Sequence, residues 1–310
     1  MSVIVEIIAP TFGIVLLGWL AARLRAFDEP ATRGLSLFAF NFAIPVMLFR
    51  TLARADLPDH PEWGLVLAYF ASAIAVFGLA AVAGRVLFRA SGAAPAILGI
   101  TAAFSNTIIL GIPIVLRAFG EDAAVPLSLI VAFHSAVMFT LTTVVAEIGA
   151  GDGAHWLATL ANVGRGLGSN PILWGIGGGL AVNLLGVSLP SVVDQFAATL
   201  GAAALPAALF ALGANLSRFR LAHTLREAAL LTGLKILVQP LLVYLLAAYV
   251  FGLSPLSQAV LVTIAALPTG INAYLFAARY QAAVAAATST ILVSTLLSTV
   301  TLGVLLALWR

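Results

Sequence analysis

The stretch Ala266-Leu-Pro-Thr-Gly-Ile-Asn272 lies midway along an apolar segment, residues 255–278, which is long enough to cross a lipid bilayer. Pro268 removes a backbone donor and clashes with the preceding helical turn, and Gly270 permits non-helical dihedral angles. The sequence therefore predicts a broken helix. In lipid a break is tolerated only where it is buried in protein or lines a cavity. Because the break also carries a threonine and an asparagine, it is typical of a binding site.

The composition indicates an integral membrane protein. The chain has 310 residues, of which 62% are hydrophobic and only 9% charged, too few charges for a soluble domain of this length. Its net charge is +3, and the basic residues fall mostly at the ends of apolar runs, so we expect them to set topology and expect no nucleic-acid partner. The absence of cysteine excludes disulfides and thiolate metal ligands.

The spacing of the apolar runs predicts an all-α polytopic fold with ten transmembrane helices. The runs are residues 3–22, 34–50, 63–84, 95–118, 124–146, 170–187, 191–213, 228–250, 255–278 and 282–309. Each is near the ~20 residues that a bilayer requires. The first run has no basic start and contains Glu6, which favours a retained span over a signal peptide.

The two halves of the chain resemble each other. Three pairs recur at an offset of 161 or 162 residues: Pro10 with Pro171, Pro45 with Pro206, and Arg117 with Arg279. We therefore predict a five-helix repeat at residues 1–149, a cytoplasmic connecting loop at 150–169, and a second five-helix repeat at 170–310. An odd number of spans inverts the second copy relative to the first, as in many secondary transporters.

The repeat predicts a second break to match the first. The fourth span supplies it in Ser105-Asn-Thr-Ile-Ile-Leu-Gly-Ile-Pro113. Two broken helices in corresponding positions point to a transport site near the midplane. Their half-helix N-termini suit an anion, and Asn106, Thr107, Thr269 and Asn272 could orient a carboxylate as neutral donors. The alternative is that these side chains only cap the broken helix ends.

Lys235 is the single lysine of the chain and lies inside the eighth apolar span. An intramembrane charge costs about 2.5–3.5 kcal/mol on insertion scales and is functional by default. One interpretation makes Lys235 a counter-charge for the substrate or the partner of a titrating acid. The other is that its long side chain snorkels to the cytoplasmic surface. Gln239 lies one turn further along the same face and would extend a polar lining.

Two residues are candidates for coupling to protons. His134 lies half-way along the fifth span and could titrate near neutrality, although a lone intramembrane histidine is more often a structural hydrogen-bonding group. Glu6 lies near the outer end of the first span, a position that favours an interfacial role. Both H⁺ and Na⁺ coupling stay open. The four histidines have no metal-ligand spacing, and we expect neither a metal site nor another cofactor.

The arginines orient the predicted bundle. The loops after the odd-numbered spans contain ten of them: Arg23, Arg25, Arg33, Arg85, Arg89, Arg165, Arg218, Arg220, Arg226 and Arg279. The opposite side has four: Arg50, Arg54, Arg117 and Arg310. By the positive-inside rule the odd-numbered loops are cytoplasmic, and both termini are then periplasmic.

The chain resembles the auxin efflux carrier family, which includes plant auxin exporters and bacterial carriers such as malonate transporters. The resemblance runs from end to end. Its motifs are Asn106-Thr-Ile-Ile-Leu-Gly-Ile-Pro113, Leu205-Pro206 through Ala211-Leu-Gly-Ala-Asn-Leu216, Leu234-Lys-Ile-Leu-Val-Gln-Pro240, and Leu267-Pro-Thr-Gly-Ile-Asn-Ala-Tyr-Leu-Phe-Ala-Ala-Arg-Tyr280.

The resemblance implies two inverted five-helix repeats, related in fold to bile-acid sodium symporters, with elevator-like movement of a transport domain. It also implies that helices four and nine cross at their breaks and form the substrate site. The site residues expected from the resemblance and the polar pattern together are Asn106, Thr107, Gly111, Pro113, Pro268, Thr269, Gly270, Asn272, Lys235 and Gln239. Ala273 stands where plant members have a second proline, and the central loop is short; both differences argue against auxin as substrate.

The sequence thus predicts a secondary carrier for a small organic anion, a mono- or dicarboxylate, in a bacterial inner membrane. A homodimer is expected only by analogy to relatives. Two alternatives stay open: a sodium-coupled symporter of the bile-acid type, and a passive channel or non-transporting sensor. No phosphate-binding loop, nucleophile elbow or carboxylate pair supports an enzyme.

Overall fold

Every secondary-structure element in the described part of the chain is a helix. The computed structural model describes residues 8–55, 57, 62–150, 165, 168–219 and 224–309, and these residues form twelve helices and no β-strand. The first half contains α1 (Ala9–Arg23), α2 (Glu29–Ala53), α3 (Trp63–Leu87), α4 (Ala94–Ala103), α5 (Thr107–Phe119) and α6 (Glu121–Gly149). The second contains α7 (Pro171–Leu184), α8 (Ser191–Leu216), α9 (Leu225–Val250), α10 (Pro255–Ala266), α11 (Asn272–Tyr280) and α12 (Val284–Leu308).

Six of these helices are long and apolar enough to cross a membrane: α2, α3, α6, α8, α9 and α12. Many large apolar side chains on their outer faces are exposed, such as Leu79 at 51% and Leu297 at 49%, as expected for surfaces that contact lipid rather than water. The chain is therefore a multi-pass helical membrane protein.

The other predicted spans contain shorter helices. Segments 95–118 and 255–278 each hold two, because the backbone leaves helical geometry at residues 104–106 and again between α10 and α11. The remaining two are α1 and α7, of 15 and 14 residues. Glu6 and most of the predicted connecting loop lie outside the described residues, and the division into two repeats remains a prediction.

The helices pack in two groups. The four-helix group consists of α1, α2, α7 and α8, in which α1 packs along the second half of α8 and α7 packs along the second half of α2. The eight-helix group contains α3–α6 and α9–α12, in which α3 packs on α4 and the start of α9 on α12. Between the groups, α8 meets α5, and both α2 and α7 meet α6. One large cluster of buried apolar residues runs through both groups.

Glycines allow the closest helix approaches in the four-helix group. A Cβ on Gly18 of α1 would lie 2.1 Å from the carbonyl oxygen of Phe210, and one on Gly179 of α7 would lie 2.4 Å from that of Phe49. No real side chain tolerates either distance, so the backbones touch only because glycine is present. Small residues serve the same purpose in membrane helix pairs generally.

Three helices contain wide π-helical turns: residues Ala39–Ala43 in α2, Thr107–Gly111 at the start of α5, and Leu234–Val238 and Leu246–Val250 in α9. Such turns are rare and frequently mark functional sites. The two interruptions, at residues 104–106 and 267–271, meet in space, and we call this meeting point the crossing. Each of the first three π-helical turns lies at the crossing or at the cavity beside it.

Candidate functional site

The two interruptions of the helices meet and pair. The backbone N–H of Asn106 donates to the carbonyl of Pro268 at 2.9 Å, and the N–H of Gly270 donates to the carbonyl of Phe104 at 2.9 Å. Ser105 and Thr269 thereby face each other in a short antiparallel bridge. Backbone groups freed by the breaks thus satisfy one another inside the protein, where no water is available to do so.

Thr269 links the paired interruptions to two neighbouring helices, α4 and α12. Its hydroxyl donates to the carbonyl of Thr101, near the end of α4, at 2.8 Å, and its backbone N–H donates to the Ser294 hydroxyl of α12 at 3.1 Å. The residue is 1% exposed. Thr269 therefore holds the crossing in place and does not reach the cavity beside it.

Glycines let the two interruptions approach. A Cβ on Gly270 would lie 2.7 Å from the Phe104 ring, and a Cβ on Gly111 would lie 2.9 Å from the Leu267 side chain. Pro113 lies inside α5, directly after the π-helical turn Thr107–Gly111, where the helix returns to α geometry. These residues shape the crossing through the backbone.

Lys235 lies directly behind the crossing. Its Nζ donates to Ser105 Oγ at 2.8 Å, to Gln239 Oε1 at 2.8 Å and to the carbonyl of Ala265 at 2.6 Å. The side chain is fully buried, so it does not snorkel to the surface. None of the described carboxylates forms an ion pair with it, so the described residues hold no acidic partner of the predicted kind.

Gln239 and Tyr69 complete the polar cluster around Lys235. Gln239 Nε2 donates to the carbonyl of Ala103 at 3.2 Å, and the Tyr69 hydroxyl donates to Ser105 Oγ at 3.0 Å. Both side chains are fully buried. Ser105 is thus the one hydroxyl that links the lysine, the tyrosine and the bridge between the two breaks.

His134 of α6 packs beside this polar cluster, against aromatic rings. Its ring centroid is 4.3 Å from that of Phe104 and 5.6 Å from that of Tyr69. The Ser105 backbone carbonyl is close to the ring, but neither ring nitrogen makes a hydrogen bond of good geometry within the described chain. His134 packs behind the crossing and does not line the cavity.

A cavity of about 630 Å³ lies in front of the crossing, between the two helix groups. The four-helix group contributes residues of α2, the start of α7 and the second half of α8, and the eight-helix group contributes α5, α6 and α11. The polar side chains of its wall are Ser36, Asn41, Ser105, Asn106, Thr107, Ser135, Thr143, Asn170, Asn215, Asn272 and Arg279. Its size falls in the range of small-molecule sites.

Three helix N-termini adjoin this cavity. That of α7 is capped by Asn170, whose side chain accepts from the Ile172 N–H at 3.0 Å, whereas those of α5 and α11 are open. The first turns of α5 and α11 line the cavity, and the N–H groups of Ile108, Ile109, Ile271 and Asn272 have no acceptor among the described residues. Asn106, just before α5, is 6% exposed, and its carboxamide makes no hydrogen bond to the described chain. Unpaired N–H groups at a helix N-terminus form a site for an anion, and the buried, unpartnered Asn106 carboxamide adds a further donor to it.

Among the described residues, Arg279 is the one charged residue in the wall of the cavity. Its side chain is exposed, and its Cζ lies 5.6 Å from the centroid of the Tyr280 ring. The Tyr280 hydroxyl in turn donates to Glu147 Oε1 at 2.9 Å. The wall therefore combines neutral donors near the crossing with a single positive charge two helical turns away.

The expected site residues thus fall into two sets. Asn106, Thr107, Gly270 and Asn272 line the cavity. Gly111, Pro113, Pro268, Thr269, Lys235, Gln239 and His134 lie in or behind the crossing. Sequence reasoning did not single out Asn41, Asn215 or Arg279 for the cavity. Asn41 is a polar residue inside an apolar span, and Asn215 lies two residues beyond one, so a signal was available for both. Arg279 was used only as a loop charge, as a partner of Arg117 in the repeat and as part of a family motif.

The described residues contain no group of three His, Asp or Glu side chains that could hold a metal ion. The oxygen atoms around Lys235 belong to a hydroxyl, a carboxamide and a backbone carbonyl, and all three accept hydrogen bonds from its ammonium group. The ammonium of Lys235 therefore lies on one side of the crossing, and the unpaired N–H groups and the Asn106 carboxamide lie on the other.

Known proteins resemble the chain over its whole length. It is 29% identical over 310 residues to the "Putative malonate transporter" of Rhizobium meliloti, covering all of this chain and 97% of that protein. It is 28% identical over 300 residues to an "Uncharacterized transporter" of Methanothermobacter thermautotrophicus, covering 96% and 95%. It is also 26% identical over 153 residues to "Auxin efflux carrier component 8" of Arabidopsis thaliana, covering 47% and 41%.

The family model described as "Membrane transport protein" matches residues 3–306. This match covers nearly the entire chain, including both helix interruptions and the cavity. The chain therefore belongs to the membrane transport protein family, that of the auxin efflux carriers.

Proposed function

We propose that this chain is a secondary active transporter of a small organic anion, a mono- or dicarboxylate, in a bacterial inner membrane. The substrate binds in the cavity at the crossing, against Asn106, Thr107, Gly270 and Asn272. The observation that carries the proposal is that two open helix N-termini and a buried, unpartnered Asn106 carboxamide face one cavity of about 630 Å³.

The electrostatics of the cavity favour an anion over a cation. Each helix N-terminus carries a partial positive charge of about half an elementary charge, and both first turns present open N–H groups. Arg279 adds a full positive charge, and none of the described residues that line the wall is acidic. A carboxylate has acceptor oxygens only, so it satisfies such donors without introducing an unmatched donor of its own.

The spacing along α11 suits a substrate with two anionic groups. Asn272 and Arg279 are seven residues apart, which corresponds to roughly 10 Å along the axis and to the same helix face. Long helical side chains generally lean toward the helix N-terminus, a direction that would bring the Arg279 guanidinium closer to the crossing. A short dicarboxylate could therefore place one carboxylate at the crossing and the other near the guanidinium.

Two features support movement of one helix group against the other. The cavity lies between the groups, and the main backbone contacts that join them are those of α8 with α5 and of α6 with α2 and α7, beside the ring contact of Phe219 with Tyr274. The tight pairs Gly18–Phe210 and Gly179–Phe49 are related by one offset, since Gly179 and Phe210 each lie 161 positions after Gly18 and Phe49. This reciprocity supports an inverted repeat of five-span units, with α4–α5 and α10–α11 as its broken helices.

The cavity residues near helix ends indicate which side is open. Ser36, Asn170, Asn215 and Arg279 all adjoin the odd-numbered connections, the set that holds ten of the fourteen arginines and that the positive-inside rule assigns to the cytoplasm. We infer an inward-facing state with both termini periplasmic. The name of the Rhizobium relative makes malonate the first substrate to test.

A thermal-shift screen of the purified carrier tests this proposal. Malonate, succinate, acetate and pyruvate are compared with methylammonium and neutral amino acids, at two pH values and with Na⁺ or choline. A ligand that binds the folded state raises the melting temperature by mass action. We expect at least one carboxylate to do so; a shift produced only by cations or neutral amino acids would show that the assignment is wrong.

A further inference from the structure

We propose that Lys235 is a built-in cation that permanently occupies, between the C-terminal ends of α4 and α10, the position a coupling cation would take, so that this carrier works without Na⁺. This inference rests on the transport function proposed above. It assigns Lys235 a role behind the crossing instead of contact with the substrate.

The position of the ammonium is set by two helix ends. Lys235 Nζ donates to the carbonyl of Ala265, the penultimate residue of α10, at 2.6 Å. Its neighbour Gln239 donates to the carbonyl of Ala103, the last residue of α4, at 3.2 Å. A helix C-terminus carries about half a negative charge, so two such ends compensate one positive charge without a carboxylate.

The hydrogen bonds match an ammonium group. Three acceptors, Ser105 Oγ, Gln239 Oε1 and the Ala265 carbonyl, receive its three N–H groups. The orientation of the Gln239 amide follows from the Ala103 carbonyl, which only accepts and therefore requires Nε2, leaving Oε1 for the lysine. Each N–H of the Lys235 ammonium thus has an acceptor, and Lys235, Ser105 and Gln239 are completely buried.

Carriers with broken helices coordinate Na⁺ through the same kinds of group, namely unwound carbonyls and half-helix C-terminal ends. In this chain a hydroxyl, an amide oxygen and a helix-terminal carbonyl are already used by Lys235. Because α9 belongs to the same helix group as both breaks, the positive charge would travel with the crossing. A tethered cation in this position leaves no coordination site for a second one.

Amine labelling provides the first test, because Lys235 is the only lysine in the chain. Reductive methylation of the folded, detergent-solubilised carrier with formaldehyde should leave Lys235 unmodified, and denaturation should expose it to dimethylation, as mass spectrometry of the peptide would show. Rapid methylation in the folded carrier would place the amine in the open cavity and overturn the proposal.

Replacement of the lysine provides the second test. In Lys235→Ala the emptied pocket should bind a free cation, so Na⁺ or methylammonium should raise the melting temperature by about 5 °C or more over choline at equal ionic strength. Lys235→Met, whose side chain fills the space, should show no such rise, and neither should the unmodified carrier. Stabilisation of the unmodified carrier by Na⁺, or equal behaviour of the two variants, would contradict the inference.

The two tests also separate this inference from the proposed function, because neither needs a transported substrate. If Lys235→Ala does not fold in any salt, the methylation experiment and the response of the unmodified carrier to Na⁺ decide. If Lys235 behaves as described and no carboxylate binds, the transport assignment fails while the cation site stands.

Discussion

The backbone N–H of Asn106 donates a hydrogen bond to the carbonyl of Pro268 at 2.9 Å, across 162 positions of the chain. This bond ties the end of one helix interruption to the proline of the other. It places Asn106 at the start of α5 with its side chain in the cavity and its backbone in the crossing. Because Asn106 belongs to both the cavity and the crossing, a substitution that disturbs the crossing should also change ligand binding in the cavity.

Gly270→Ala should destabilise the crossing. The added Cβ would meet the Phe104 ring at 2.7 Å, and overpacking of this kind costs about 1–3 kcal/mol. Thermal unfolding in detergent measures the loss, together with reduced ligand binding. Gly78→Ala in α3 is the matched control, because nothing lies within 4 Å of its Cβ position. Equal melting temperatures for the two variants would argue against the tight contact.

Asn106→Asp and Asn272→Asp should weaken anion binding by about tenfold or more, because each puts a negative charge of the same shape beside the substrate. Ligand titrations by calorimetry provide the affinities. Gln195→Glu adds the same charge at an exposed position outside the cavity and should leave binding unchanged. Anion affinity that survives in both asparagine variants would remove the proposed site from the crossing.

Arg279→Gln should discriminate between substrate classes. Since the guanidinium is exposed, we expect about a two- to fivefold loss for a dicarboxylate and a smaller loss for a monocarboxylate, with the difference shrinking at high salt. Arg85→Gln is the control, because Arg85 is also exposed on an arginine-rich side but lies away from the cavity. Equal losses for both substrate classes would contradict the role of Arg279.

Gly18→Ala and Gly179→Ala should each reduce stability by about 2 kcal/mol or more, because the new methyl group would overlap a backbone oxygen. Gly13→Ala and Gly177→Ala, in the same two helices, have open space at the Cβ position and should be neutral or slightly stabilising. Melting temperatures of the four variants test the reciprocal packing of α1 with α8 and α7 with α2. A clear difference between the first two variants would weaken the case for an inverted repeat.

The cysteine-free chain allows the accessibility of the cavity to be measured directly. Leu275→Cys, in the cavity wall, should react with a charged maleimide added from the cytoplasmic side, and substrate should slow that reaction. Leu297→Cys is similarly exposed but lies outside the cavity wall; we expect lipid to cover it and to slow its reaction. Labelling of Leu275→Cys only from the periplasm would reverse the proposed orientation.

Much of the fold follows from local features of the sequence. Apolar runs of bilayer length mark the helices, and Pro268 with Gly270 marks an interruption because these residues lack a backbone donor and a Cβ. The partners of Lys235 could not be predicted in this way. Its acceptors on Ser105 and Ala265 are brought to it by tertiary packing, 130 and 30 positions away, and no periodicity specifies such contacts.

The cavity was only partly predictable for a related reason. Asn106 and Asn272 flank the interruptions, so their depth could be inferred from the breaks. Asn41 and Asn215 lie in continuous helices, and which face of those helices meets the cavity depends on how the two groups pack. Arg279 was not predicted in the cavity, because its side chain enters the cavity wall through the orientation of α11.

Substrate counterflow in proteoliposomes tests the proposed transport site most directly. Vesicles loaded with unlabelled malonate or another carboxylate that shifts the melting temperature are diluted into a trace of the labelled anion, with choline as the only external cation. We predict transient accumulation of the label by the unmodified carrier and its loss in Asn106→Asp, with Gln195→Glu unaffected. Equilibration without accumulation, or accumulation that persists in Asn106→Asp, would contradict a carrier that holds its anion at the helix crossing.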